Sequence, residues 1–316
     1  MASVNANGID ITYETAGDPH NPAVLLIMGL GLQLISWPQE FVDGLVEQGF
    51  YVVRFDNRDS GLSTKFEHAG KPNLLLAYVK SLAGWPLKPA YTLNDMADDA
   101  HGLLSALGIE RAHVIGVSMG GMIAQLFAAR FPQQTLSLTS IMSSSGRRGL
   151  PGPTPAARKV LLRPAPRPAG REQVLARMVE TFQVIGSPSF PVSEEDLRAR
   201  IARSVDRNVC PNGVARQMVA IAASGDRSAL LRKISTPAMV IHGAEDPLVP
   251  LACGVDTAKQ IAGSVLHVID GMGHDLPPQL VARLLALIEP HVRGKMAAGP
   301  GGLERRASPP FCSGLS

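Results

Sequence analysis

Cysteine is scarce and unpatterned: Cys210, Cys253 and Cys312 are the three in 316 residues, an odd number at irregular spacing. With no C-x-x-C and no metal-ligand spacing, the thiols read as reduced, in a cytoplasmic protein. No apolar run approaches the roughly 20 residues that cross a bilayer, so no membrane span is expected. Met1-Ala2-Ser3-Val4-Asn5 lacks a charged n-region and an apolar h-region, so no secretory signal is expected either. Net charge is small, +3 from 30 basic and 27 acidic residues, which gives no reason to expect a nucleic-acid partner. Internal repeats are absent. What the chain does have is apolar content, 45%, at a length that supports one sizeable core and an elaboration on it.

Short β-branched runs alternate with helical segments over most of the length. Ile9–Glu14 alternates and is expected as an edge strand. Ala23–Met28 is continuously apolar, as a strand covered on both faces should be, and Tyr51–Asp56 follows after a helix near Pro38–Gln48. Leu93–Leu107 reads as a helix, with Thr92 or Asn94 as N-cap and Gly108 as its stop. Ala112–Ile115 and Leu136–Met142 are strands, as are Pro237–His242 and Val265–Ile269. Helices are expected over Gly121–Arg130, Leu251–Ala262 and Leu280–Val292. This rhythm predicts an α/β protein, a mostly parallel sheet flanked by helices.

Two segments break it. Between Ser143 and Ser235 strands lapse and helices appear (Glu172–Val184, Glu194–Arg207, Val214–Ala223), after a Pro- and Arg-rich entry from Arg147 to Arg171. We expect a helical cap over residues 143–235, set in a core of residues 1–142 and 236–293. The cap carries sixteen Arg and Lys against seven Asp and Glu. That excess reads as a solvated helical surface, with attraction of anionic substrates as the alternative. Phe66–Tyr91 reads as irregular and is expected at the cap's mouth. Residues 294–316 are Gly-, Pro- and Ser-rich and are expected to be disordered.

Chemistry is concentrated at Gly116-Val117-Ser118-Met119-Gly120. A chance G-x-S-x-G in a loop means little; between a strand and a helix it is a nucleophile elbow. Small residues two positions to either side of the serine permit the sharp turn. The hydroxyl then stands at a helix N-terminus, which favours developing negative charge. A serine needs a base, and the base an orienting acid, both from the ends of later strands. The strand ending at His242 leads into Gly243-Ala244-Glu245-Asp246, and the strand ending near Ile269 into Asp270-Gly271-Met272-Gly273-His274-Asp275. Asp246 and His274 are the candidate acid and base, against plainer roles as a helix cap and a core histidine, and Glu245 is the neighbouring carboxylate.

From Ala23 to Val292 the chain resembles the α/β-hydrolase family. The elbow carries that likeness, with Met28-Gly29-Leu30-Gly31, Asp56-Asn57-Arg58-Asp59-Ser60-Gly61-Leu62-Ser63 and the two strand-end loops. It is most similar to bacterial carboxylesterases of the aclacinomycin methylesterase type; perhydrolases and proline iminopeptidases are more distant. Many members have His-Gly in place of Met28-Gly29, and Gly in place of Asp59. The resemblance implies an α/β-hydrolase fold and a catalytic set of Ser118, Asp246 and His274. It implies an oxyanion hole from the backbone N–H groups of Leu30 and Met119, and no metal or organic cofactor. At the family's other acid position, after the strand preceding the cap, stands Ser143-Ser144-Ser145, with no carboxylate.

The function so implied is hydrolysis of a small-molecule carboxylic ester through an acyl-enzyme. Cofactor-free perhydrolysis and C–C bond hydrolysis on the same residues are alternatives, and a hydrolase-derived ligand receptor is a fourth. Arg58, His113, His242 and His267 are read as structural. Asp270 and Asp275 are read as turn or cap residues. A homo-oligomer is left open.

Overall fold

A computed structural model describes residues 1–163 and 170–294, without the side chains of Ser81 and Leu82. The expected disorder of the tail and Cys312 fall outside the described residues, apart from Gly294, as does part of the Pro/Arg-rich cap entry. Cys210 and Cys253 are free thiols.

In chain order the elements are β1 (Ala2–Ala6), β2 (Ile9–Ala16), β3 (Ala23–Ile27), α1 (Gln39–Glu47), β4 (Tyr51–Phe55), α2 (Leu74–Leu82), α3 (Leu93–Ala106), β5 (Ala112–Val117), α4 (Met119–Arg130) and β6 (Thr135–Ile141). They continue with α5 (Pro155–Leu162), α6 (Arg171–Ile185), α7 (Glu194–Arg207), α8 (Pro211–Ser224), α9 (Ser228–Leu231), β7 (Ala238–Gly243), α10 (Leu251–Gln260), β8 (Val265–Ile269) and α11 (Pro278–Val292). One sheet has the order β1-β2-β4-β3-β5-β6-β7-β8. The pairs β1–β2 and β2–β4 are antiparallel and the rest parallel.

The buried strands point alternate residues to opposite faces, and each face has its own core. Leu25, Ile27, Val53 and Val114 meet α3 and α4 on one side. Val24, Leu26, Val52, Ile115 and Ile241 meet α1 and α11 on the other. Thr92 caps α3 in a capping box, its side chain accepting from Asp95 N–H while Asp95 accepts from Thr92 N–H. Helix α4 is buried on almost every side, which accounts for its unbroken run of small and apolar residues.

The expected alternation is present, with three differences. The sheet edge is β1, so β2 is an interior strand and not the edge. The Phe66–Tyr91 segment is not wholly irregular, since it holds α2. A further helix, α5, opens the excursion between β6 and β7, started by Thr154 accepting from Ala157 N–H and by a proline in its first turn. Within that excursion Leu175, Val179, Leu197, Ile201 and Val205 of α6 and α7 form an apolar cluster of their own. None of the described helices is long and apolar enough to cross a membrane.

Candidate active site

Val117 ends β5 and Met119 starts α4, so Ser118 is the single residue that turns the chain. It does so at φ 54°, ψ −119°, a region costly for any residue with a Cβ. The turn closes only because its flanks are bare. A Cβ on Gly116 would stand 2.1 Å from the Gly120 carbonyl oxygen, and one on Gly120 would stand 2.0 Å from that of Ile27. The half-buried Ser118 hydroxyl therefore projects beyond the sheet at the first turn of α4.

The ends of β7 and β8 meet it there. Ser118 Oγ–H donates to His274 Nε2 at 2.9 Å, and His274 Nδ1–H donates to Asp246 Oδ2 at 2.7 Å. His274 and Asp246 are both buried. Asp246 Oδ1 accepts from the N–H groups of Leu248 at 2.9 Å and Val249 at 2.8 Å, which fixes the carboxylate in its turn. Glu245 points elsewhere, accepting from Gly271 N–H at 2.5 Å. Helix α10 starts five residues later, with Pro250 at its N-cap, so Asp246 does not cap it.

The histidines read as structural sit in the packing. His242 donates from Nε2 to the Val249 carbonyl at 2.7 Å, and burial pushes it below the usual imidazole range. Burial also pushes His113 down to about 4, where its Nδ1 lies 2.8 Å from Ser137 Oγ. Arg58 holds Asp99 through two contacts of 2.6 Å and lies over the Phe66 and Tyr91 rings. Asp275 is bonded to Ser187 Oγ at 2.5 Å, and burial raises its carboxyl.

The turn at Met28–Gly31 lies directly against the serine: a Cβ on Gly29 would be 3.3 Å from Ser118 Cβ. In the absence of the histidine many relatives carry, other side chains hold this turn. Asn57 Nδ2 donates to the Met28 carbonyl at 2.9 Å. Asp56 Oδ1 accepts from Leu34 N–H at 2.8 Å. Gln217, fully buried on α8, accepts from Gly31 N–H at 2.8 Å and donates to the Arg58 carbonyl at 2.8 Å and Ser60 Oγ at 3.0 Å. Leu30 is thus braced on both sides, and Met119 opens α4, where an N–H has no acceptor within its helix.

Helix α8 is also pinned by charge. Arg216 grips Asp59 with two contacts of 2.7 Å, and Tyr91 O–H donates to the same carboxylate at 2.6 Å. Burial alone would raise the Asp59 carboxyl; Arg216, Tyr91 and the Phe66 N–H outweigh it and hold it below the usual range. Further along the chain, His274 N–H donates to the Ile185 carbonyl at 2.7 Å and Gly273 N–H to Ser187 Oγ at 2.9 Å. The excursion thus touches both the serine-side turn and the histidine loop. Nothing in the sequence marked Gln217 or Ser187 for these contacts, each an ordinary polar residue bonded to partners far along the chain, while Asn57 stood in a loop quoted for its family likeness without this contact being read from it.

A family model described as alpha/beta hydrolase fold matches residues 22–278. Rhodomycin D methylesterase DauP of Streptomyces sp. (strain C5) is 28% identical over 92% of this chain and 97% of its own length. A 2-hydroxy-6-oxononadienedioate/2-hydroxy-6-oxononatrienedioate hydrolase of Paraburkholderia phymatum is 30% identical over 79% of this chain and 80% of its own. Among solved structures, the enol-lactonase from Burkholderia xenovorans LB400 superposes with a TM-score of 0.71 at 23% identity, over 92% of this chain and 100% of that one.

Proposed function

The chain belongs to the alpha/beta hydrolase fold family, and on that premise we propose that it hydrolyses carboxylic esters through an acyl-enzyme on Ser118. The observation that carries this reading is the unbroken hydrogen-bond chain Ser118–His274–Asp246, with links of 2.9 Å and 2.7 Å, at a serine held in strained backbone geometry. Ser118 Oγ attacks the ester carbonyl as His274 Nε2 takes its proton. Asp246 keeps the proton of His274 on Nδ1 and supports the imidazolium. The tetrahedral oxyanion lies against the N–H groups of Leu30 and Met119. Collapse expels the alcohol, which leaves with the proton from His274. Water then gives its proton to the same nitrogen as its oxygen bonds the acyl carbon, and collapse breaks the bond to Ser118 Oγ, which takes the proton back from His274 as the acid leaves.

Residues 143–235 act as the cap that bounds the substrate. Relatives named as methylesterases favour esters of a small alcohol, and the relative named as a dienedioate hydrolase favours C–C cleavage as the second reading. The test is a panel of methyl, ethyl and p-nitrophenyl esters beside one ring-cleavage dienoate. Ester turnover should exceed dienoate turnover, and Ser118→Ala should abolish both by about 10⁴-fold or more with the fold unchanged. Ester turnover undiminished in that variant rejects the mechanism.

A further inference from the structure

Helix α2 departs from the rule that a helix hides its apolar face. Leu75 is 74% exposed, Leu76, Tyr78 and Val79 are about half exposed, and Trp85, just beyond the helix, is 62% exposed. Isolated exposed apolar residues are ordinary; five large ones within eleven positions form a patch. Within its own stretch of chain the charge has one sign. From His68 to Asn94 the chain contains no Asp or Glu, but it does contain Lys71, Lys80 and Lys88. The carboxylates that bound this stretch in sequence are Glu67 and Asp95, the latter bonded to Thr92, and Asp226 lines the cavity that Trp85 also lines. Arg148 adds a guanidinium close to the Cα of Gly84, where a Cβ would come within 3.2 Å of Nη2.

One member of the patch, Trp85, lines a cavity of about 440 Å³, with Leu87, Met122, Arg148 and Ile221 among others. Met122 stands one turn along α4 from Ser118, its N–H bonded to the Ser118 carbonyl at 3.2 Å.

We propose that α2 and Trp85 dock the protein on an anionic lipid surface, which sets the Trp85 side of this cavity against the membrane. An interfacial helix has this composition: leucines and an aromatic ring for the acyl boundary, lysines for the headgroups, and no carboxylate to repel them. A second copy of the chain fits worse. Two such patches face to face would bring together their lysines, and a nine-residue helix supplies few of the roughly 20–30 residues a side that a stable interface uses. Docking delivers esters that partition into lipid, so it gives the proposed hydrolysis its substrate class, yet the docking does not depend on that reaction.

The protein carries its own reporter. Trp37 is buried and Trp85 is the other tryptophan, so a change in emission on binding comes from Trp85. With phosphatidylglycerol/phosphatidylcholine vesicles, Trp85 emission should shift to the blue and the protein should co-sediment. Phosphatidylcholine alone should bind at least about tenfold more weakly, and about 0.5 M salt should reverse most of the binding to mixed vesicles. Each of Lys71→Gln, Lys80→Gln and Lys88→Gln should weaken partition about fivefold, and Leu75→Asp/Leu76→Asp more, with far-UV dichroism unchanged. Ser118→Ala should bind like the unaltered chain, so loss of docking and loss of the hydrolytic reading are separate results. No blue shift and no co-sedimentation overturn the proposal. So does a concentration-dependent dimer in which Trp85 is already shielded without vesicles, which assigns the patch to a second copy.

Discussion

Asp246 and Glu245 are adjacent carboxylates with different surroundings, and this difference sets what each substitution should do. Asp246 spends one oxygen on two backbone N–H groups and the other on His274, so its ring-facing oxygen is fixed. Asp246→Asn preserves the shape but presents an amide N–H or a weak acceptor to His274 Nδ1. That favours the wrong tautomer, and turnover should fall about 10⁴-fold. Glu245→Gln alters only the contact to Gly271 N–H and should leave turnover within about tenfold. Rates on one p-nitrophenyl ester check the pair, and the reverse order moves the acid by one position. The three side chains proposed as serine, acid and base could be nominated from the sequence because sharp turns at strand ends leave local marks: bare glycines two positions from the serine, polar residues directly after an apolar run. Gln217 left no such mark, because its three bonds reach residues more than 150 positions away. Gln217→Leu leaves the Gly31 N–H and the Arg58 carbonyl without their partner and frees the turn that carries Leu30. It should lower kcat by about tenfold or more, below the cost of deleting an oxyanion donor, with KM within about twofold.

At the scale of elements, α8 is joined to the core by two consecutive side chains, Arg216 and Gln217. Asp59 occupies a place where related chains often carry glycine, and its φ of +66° explains the preference. Here the carboxylate earns that strained position by closing a buried pair with Arg216, which is 2% exposed. Arg216→Met strands a buried carboxylate and should cost about 3–5 kcal/mol in urea unfolding. Adding Asp59→Asn removes the stranded charge, and asparagine tolerates a left-handed backbone, so the double variant should recover at least about half of that loss. A double variant no more stable than Arg216→Met alone makes the pair incidental. Elements with period and cap in agreement were readable within two residues, α3 and α7 above all. β1 was missed because Ala2–Ala6 is short, mixed and paired on one edge alone. Helix α2 was missed because its apolar residues do not follow a buried stripe: much of the face they form is open to solvent.

Across the whole molecule, acid should weaken the fold through buried imidazoles. His113 is 8% exposed, packs edge-on against Phe50 and titrates near 4, against 6.5 for a free histidine; burial is the main cause, with the His291 and Arg111 charges adding to it. His242 and His291 are lowered in the same direction, chiefly by burial. Above pH 6.5 both folded and unfolded forms hold a neutral ring, and the stabilising contribution is complete. Between 6.5 and 4 the unfolded chain takes up a proton that the folded chain refuses, so stability falls as pH falls. For His113 alone the loss by pH 5 is about 2 kcal/mol, since each pH unit is worth 1.36 kcal/mol while the unfolded ring alone is charged. His113→Asn keeps a polar atom near Ser137 Oγ but does not titrate, so its urea midpoint should move less between pH 7 and pH 5 than that of the unaltered chain. Equal movement in the two proteins would show that the ring at position 113 is as basic folded as unfolded, and would place the acid sensitivity elsewhere in the molecule.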